Sequence, residues 1–307
     1  MDPVRAGESR PPTKGNNMTA TQSVAVLGLG PMGRATTRIL LEAGIGVTVW
    51  NRTPGKAEAL AELGAEPAAT VAEALAAADT ILLSLIHYDA MYGVLGQGPD
   101  DLTGKTVVNL SSDSPANTAE GARWVLDRGG RFLTGAYMTQ SDDIRHPTSR
   151  LYVSGPKALH EELRPLLELL CRNEYLGPDY GLAQLYYQAG LARFHAYLIA
   201  LQQTLAMIER SGGDIDTYLR LTEDEDRSQR DFTLYFAEAA KHGGWDDSAS
   251  LKMMHAGAQH VIDTGEEAGI DTELTKTVQD YYRRAIEASE TAGRTVPVFQ
   301  IIRDHAA

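Results

Sequence analysis

The chain has 307 residues, enough for two domains, and its 43% apolar content is ordinary for a globular protein. A formal charge of −13 argues against nucleic acid or an anionic membrane surface as a partner, since both repel an acidic protein. The single cysteine, Cys171, cannot close an intrachain disulfide, which fits a reducing, cytoplasmic location. No apolar run approaches the ~20 residues of a membrane helix, and the start lacks the apolar core of a signal peptide.

Residues 1–20, opening MDPVRAGESRPPTKGNN, are rich in Pro, Gly and charge and read as a disordered tail, with Met18 just ahead of the first strand. Val24 to Leu27 is a short apolar run ending at Gly28, the pattern of a buried parallel strand. Residues 31–43 read as a helix stopped by Gly44, 47–50 as a strand, 56–63 as a helix ended by Gly64, and Thr70 caps a helix running to Ala78. Residues 80–85 and 106–110 are apolar strands, 116–128 a helix, and 131–133 and 150–153 further strands. Strands alternating with helices of about ten residues predict a parallel sheet with helices on both faces. After Gly155 the character turns helical. One stretch from Ala183 to Arg210 holds no Pro and only Gly190, helices follow at about 214–240, 246–268 and 271–292, and no further strand is evident. The expectation is an α/β chain. A Rossmann domain over 21–180 leads into a long interdomain helix at 181–210 and an all-helical substrate and dimerisation domain over 211–307. A helix of ~28 residues spans ~40 Å. Its apolar surface exceeds what a small C-terminal domain can cover, which predicts a second subunit.

Gly28-Leu29-Gly30-Pro31-Met32-Gly33 follows a strand and opens a helix, so its glycines read as a dinucleotide-binding turn. Gly28 permits the tight turn, Gly30 lets backbone approach a pyrophosphate, and Gly33 lets helix and strand pack closely. About 20 residues on, where an NAD site places an acidic residue, stand Asn51, Arg52 and Thr53, with Lys56 one turn later. A carboxylate there would repel a 2′-phosphate, whereas these four would donate to it; the expected cofactor is NADPH. Leu83, Ser84 and Ser111 end two later strands, where ligands of doubly wound sheets bind. Ser111 has two readings, a contact near the nicotinamide and a turn or capping residue. No H-x-x-x-H pair or cysteine cluster suggests a metal.

With these motifs, and with VVNLSSDSP, GLAQLYYQAGL and DYYRRAIEASE, the chain resembles the 3-hydroxyisobutyrate/6-phosphogluconate dehydrogenase superfamily and, within it, the bacterial imine reductases. Hydroxyacid dehydrogenases of that superfamily carry a catalytic lysine six residues after the glycine matched by Gly181, and an asparagine four residues later. Here those positions hold Tyr187 and Leu191. Their substrate loop, D-x-P-V-S-G-G, also departs, reading TGAYMTQ over 134–140. The resemblance implies that Tyr187 is the proton donor or the group that orients an iminium, with Tyr186 beside it structural. It further implies NADPH-dependent reduction of a small-molecule imine. Some relatives serve natural-product pathways.

Met138 and Thr139 fall where the substrate loop approaches the nicotinamide. Leu191, Phe194 and His195 follow Tyr187 on one helical face as candidate pocket wall. Phe232, Tyr235, Phe236, Met254 and His255 would, by the resemblance, cap the pocket from the neighbouring subunit of an intertwined homodimer; helix core is the other reading for each. A 3-hydroxyacid dehydrogenase and a non-catalytic NADPH-binding protein are the competing functions.

Overall fold

The computed structural model describes residues 23–244 and 250–304, apart from the side chains of 225–227 and 229. The expected tail at 1–20 and the first residues of the helix expected at 246–268 lie outside the described residues. Two compact units emerge, one reaching to Leu191 and the other beginning at Ala192, so the division falls inside the long helix.

The first unit runs β1 (Ser23–Leu27), α1 (Pro31–Glu42), β2 (Gly46–Trp50), α2 (Gly55–Ala61), β3 (Glu66–Pro67), α3 (Val71–Ala77) and β4 (Thr80–Leu83). It continues through α4 (Tyr88–Leu95), β5 (Thr106–Asn109), α5 (Pro115–Leu126), β6 (Arg131–Tyr137), β7 (Arg150–Ser154), α6 (Lys157–Leu167) and β8 (Arg172–Tyr175). The eight strands form one sheet in the order β3-β2-β1-β4-β5-β6-β7-β8. The order reverses between β1 and β4, so a crevice opens at the carboxyl ends of these two strands. Register aligns those ends in a row: Leu27 pairs with Trp50 on one side and Leu83 on the other, and Leu83 pairs with Asn109.

The strands are apolar on both faces because helices cover both. Val24 and Val26 belong to one buried cluster with Leu40 and Leu163, whereas Ala25 and Leu27 belong to another with Leu75 and Met91. Successive side chains point to opposite faces, so a strand buried on both sides has no polar alternation to display. Thr70 caps α3 as expected, its side chain accepting the Glu73 N–H, a bond of the kind worth ~1 kcal/mol.

Several features depart from the sequence reading. The expected all-parallel sheet contains an antiparallel pair, β6 with β7. The twelve residues between these strands, 138–149, hold only a short 3-10 turn, Ser141–Asp143, and no α-helix of the kind that usually carries a parallel crossover. β8 follows Gly155, where no strand was evident. Its sequence RNEY is polar and only partly buried at the sheet edge, so it carries no apolar signal. α4 and α6 were also missed; α6 contains Pro165, a residue that argues against a helix interior.

The long helix is α7 (Leu182–Arg210), and it carries over into the second unit. There α8 (Ile215–Lys241), α9 (Leu251–Ala268), α10 (Glu273–Ala292) and α11 (Val298–Arg303) follow. Asp214 caps α8 and Ser250 caps α9 through side-chain acceptors, and α9 and α10 end at left-handed glycines, Gly269 and Gly293. Large apolar side chains of this unit are open: Phe194, Tyr197 and Ile199 on α7, and Phe232, Leu234 and Tyr235 on α8, are each about half exposed or more. No helix among the described residues is long and apolar enough to cross a membrane.

Candidate active site

The crevice is built by the turn after β1. Gly28 has φ +97°, and its N–H donates to the Trp50 carbonyl at 3.0 Å. A Cβ on Gly28 would stand 2.3 Å from the Ser84 carbonyl oxygen, and one on Gly33 would stand 2.0 Å from that of Gly28. Both positions therefore exclude any side chain. Gly30 differs: a Cβ there meets nothing within 4 Å. It is the N-cap of α1, makes no side-chain cap, and is followed by Pro31 with no acidic residue in the first turn. Open space in front of uncapped N–H groups and the positive end of a helix is what a pyrophosphate needs.

The same crevice, about 700 Å³, is lined by Gly28, Leu29, Gly30, Pro31 and Met32, by Asn51, Arg52, Thr53 and Lys56, and by Ser84. Arg52, Thr53 and Lys56 are exposed along it, and neither cation has an ion-pair partner among the described residues. These residues fit a 2′-phosphate, which an unpaired guanidinium can grip bidentately. Asn51 does something else. Its Oδ1 accepts the Leu29 N–H at 2.9 Å and its Nδ2 donates to the Thr53 carbonyl at 3.0 Å, so both ends of the carboxamide are engaged in holding the turn. Asn51 thereby braces the two loops, and its Nδ2 keeps a second N–H for the phosphate contact expected of it.

Two further expected contacts are buried beneath the crevice. Leu83 is fully buried and its carbonyl accepts the Leu110 N–H, and Ser111 is 1% exposed with its hydroxyl accepting the Leu85 N–H at 3.0 Å. These are bonds that a turn residue makes. Ser111 stabilises the loop from behind.

The sequence reading missed the far wall, formed by Ile86, His87, Asp89 and Gln97 at and after the start of α4. The signal was disguised because the cap is a histidine: His87 Nδ1 accepts the Ala90 N–H at 3.2 Å. Asp113 adds a second anchor, its Oδ2 accepting the Tyr88 N–H at 2.9 Å. Burial opposes ionisation of Asp113, but the N–H groups of Tyr88, Ser114 and Asn117 outweigh it and hold the carboxyl below its usual range.

Helix α7 starts on tethers from the sheet. Asp179 accepts the Gly181 N–H, and the Ser154 hydroxyl accepts the Ala183 N–H while donating to the Tyr180 carbonyl. Tyr187 is half-buried, and its hydroxyl has no hydrogen-bond partner among the described residues. Burial raises its pKa, so the phenol keeps its proton at neutral pH. Tyr186 beside it is 54% exposed. Leu191 lies one turn beyond Tyr187 on the same face.

Met138 closes against this helix: a Cβ on Gly190 would stand 2.9 Å from its methyl group. Thr139 is partly buried and is tied to its own loop, its hydroxyl accepting from Ser149 Oγ at 2.9 Å. Tyr137, inside the stretch that replaces the hydroxyacid substrate loop, is buried with its hydroxyl 3.0 Å from that of Thr36.

The remaining expected pocket residues lie in the second unit. His195 is exposed with its ring 5.7 Å from that of Phe194. Phe236 is partly buried, stacked on Phe232 at 6.1 Å and edge-on to Tyr235 at 5.3 Å, and His255 sits half-buried on α9.

A glycine turn with a phosphate-sized gap, a cationic edge where NAD enzymes keep a carboxylate, and a phenol in place of lysine define an NADP(H)-dependent oxidoreductase of the Rossmann class. Residues 23–177 match the family model for the NAD binding domain of 6-phosphogluconate dehydrogenase, and residues 179–304 match that for the NADPH-dependent reductive aminase-like C-terminal domain. The imine reductase of Bacillus cereus BAG3X2 is 36% identical, with 92% of this chain and 99% of that chain covered and a TM-score of 0.82. A reductive aminase from Aspergillus terreus, solved with NADPH and ethyl levulinate, is 27% identical over 94% of this chain and 100% of its own, with a TM-score of 0.85. The NADPH-dependent reductive aminase of Aspergillus oryzae (strain ATCC 42149 / RIB 40) is 29% identical over 272 residues, 87% of this chain and 92% of that protein. The chain belongs to the imine reductase family of the 6-phosphogluconate/3-hydroxyisobutyrate dehydrogenase superfamily. It is an NADPH-dependent oxidoreductase acting on C=N bonds.

Proposed function

We propose that Tyr187 meets the imine nitrogen and that the two units divide the work, the first holding NADPH and the second completing the substrate pocket in a homodimer. The observation that carries the reading is the half-buried, unpartnered hydroxyl of Tyr187 at the position where the hydroxyacid enzymes carry lysine. NADPH, when bound, supplies the hydride. The chain's own residues do the rest. The N–H groups at the start of α1 hold the pyrophosphate, and Arg52, Thr53 and Lys56 hold the 2′-phosphate. The undissociated phenol of Tyr187 donates a hydrogen bond to the nitrogen of a neutral imine, or accepts one from the N–H of an iminium, and so orients it. A phenol of ordinary pKa ~10 is a poor acid, but an iminium is already electrophilic and needs orientation more than protonation. Leu191 and Met138 give the pocket an apolar wall that excludes water, and neither can exchange a proton with an alcohol oxygen.

The exposed Phe194, Tyr197, Ile199, Phe232, Leu234 and Tyr235 support the homodimer, because large apolar side chains exposed in such number on two successive helices are characteristic of an interface. With them, Phe236, His195 and His255 of the second unit would line the pocket. The acidic charge and lone buried Cys171 suit a cytoplasmic protein.

The test is NADPH consumption with 1-pyrroline or 2-methylpyrroline, set against NADP⁺ reduction with 3-hydroxyisobutyrate, for the native chain and for Tyr187→Phe. Imine-dependent turnover that falls about 10-fold in the variant, with no hydroxyacid activity, is the expected outcome. Undiminished imine turnover by Tyr187→Phe would remove the role given to Tyr187. Sedimentation should return twice the chain mass.

A further inference from the structure

Two glutamines flank Tyr187 on α7. Gln184, three residues before it, is fully buried; its Nε2 donates to the Ser111 carbonyl at 2.9 Å and its Oε1 faces the Asp113 N–H at 3.4 Å. Gln188, the next residue after Tyr187, donates to Ser112 Oγ and to the Asp113 carbonyl, both at 2.9 Å. Positions four apart share a helix face, so the pair grips three consecutive residues of the loop after β5.

That loop has a second set of bonds on its other side. Ser111 Oγ accepts the Leu85 N–H and Asp113 Oδ2 accepts the Tyr88 N–H. Leu85, Ile86 and His87, between those anchor points, line the nucleotide crevice, and Ile86 is 84% exposed there. A continuous chain of hydrogen bonds thus runs from the crevice wall through residues 111–113 to the turn of α7 that carries Tyr187. Packing alone does not call for this arrangement, because apolar side chains of the same volume would fill the space without meeting four separate polar groups.

We propose that Gln184 and Gln188 are positioning residues that fix Tyr187 relative to the cofactor crevice, so that occupancy of the crevice steadies the first turns of α7. They touch neither reacting atom. The functional consequence rests on the role given to Tyr187 above, but the mechanical coupling does not.

The test uses the full chain with Gln188→Met, a substitution close in volume at a half-buried position, and Gln184→Met as the second variant. A melting curve and NADP⁺ binding confirm that each variant is folded. The first arm is hydrogen exchange of the amides at 185–189 with and without NADP⁺. The nucleotide should slow exchange about 5-fold or more in the native chain and leave Gln188→Met unchanged. Equal slowing in both overturns the proposal whatever Tyr187 does. In the second arm, Gln188→Met should lower kcat on a cyclic imine about 10-fold, keep the KM for NADPH within about 2-fold, and cost nothing further on a Tyr187→Phe background. Independent, multiplying losses overturn it, as does a raised KM with full kcat. If Tyr187→Phe alone is fully active, the reading of Tyr187 fails and the exchange arm by itself decides whether the coupling exists.

Discussion

The backbone N–H of Leu29 donates to Oδ1 of Asn51 across 2.9 Å, tying the glycine turn after β1 to the loop after β2. The bond links the two ends of one crevice, those proposed for the pyrophosphate and the 2′-phosphate, so residue 51 is placed to bear on both cofactor identity and turn geometry. Asn51→Asp keeps an acceptor for Leu29 but sets a negative charge beside Arg52. Its melting temperature should fall modestly, because a carboxylate oxygen replaces the N–H that donates to the Thr53 carbonyl, while the KM for NADPH rises about 10-fold and NADH becomes relatively better. Asn51→Leu removes the acceptor and leaves the Leu29 N–H orphaned at a cost of ~1–3 kcal/mol, which thermal melting would register.

Arg52 and Lys56 have no protein partner in the described structure, so their charge is available to the cofactor. Arg52→Ala should raise the KM for NADPH by about 10- to 100-fold, the scale of a lost charge-assisted hydrogen bond, and leave the KM for NADH nearly unchanged. The effect should shrink as salt is added. Equal losses with both cofactors would place Arg52 away from the 2′-phosphate.

The glycines separate folding from binding. Gly33→Ala drives a methyl group to 2.0 Å from the Gly28 carbonyl oxygen, so helix and turn must part and both stability and cofactor binding should fall. Gly30→Ala meets nothing within 4 Å and should fold normally. It nevertheless occupies the space assigned to the pyrophosphate, and NADPH titration should show binding weakened about 10-fold or more.

Alkaline pH tests the buried phenols. Burial disfavours phenolate and pushes Tyr88 and Tyr137 far above the ordinary range. Below pH ~10 the folded and unfolded states both hold these protons, and the two residues add no pH dependence. Above it the unfolded chain releases them while the folded chain does not, so stability should decline from about pH 10 upward. Melting temperatures across that range check the sign, and Tyr137→Phe should flatten the decline.

Cys171 is buried, and burial pushes its thiol up to about 11. The native chain should therefore react slowly with a disulfide reagent at pH 8, and one thiol should appear promptly on unfolding.

The parts of the site that could be read from the sequence are those where one residue type has one local meaning. Gly28 is required by its positive φ and Gly33 by its approach to the Gly28 carbonyl within the same turn, and the lack of an acidic residue near Arg52 is a matter of spacing alone. The missing lysine at Tyr187 was legible through the resemblance to the hydroxyacid dehydrogenases. Apolar runs such as Val24–Leu27 and Ile81–Leu83 announced the central strands because both sheet faces are covered.

What the tertiary structure decided is which polar atoms are free. Asn51 and Ser111 have side chains suited to a ligand, and only the folded chain shows them engaged with the N–H groups of Leu29 and Leu85. The direction of β7 and the polar edge strand β8 depend on the partner strands beside them. The links of Gln184 and Gln188 to residues 111–113 join positions more than 70 apart. Local propensity and periodicity record a residue's own preferences, whereas hydrogen-bond satisfaction depends on whichever segments folding brings within 3 Å of it.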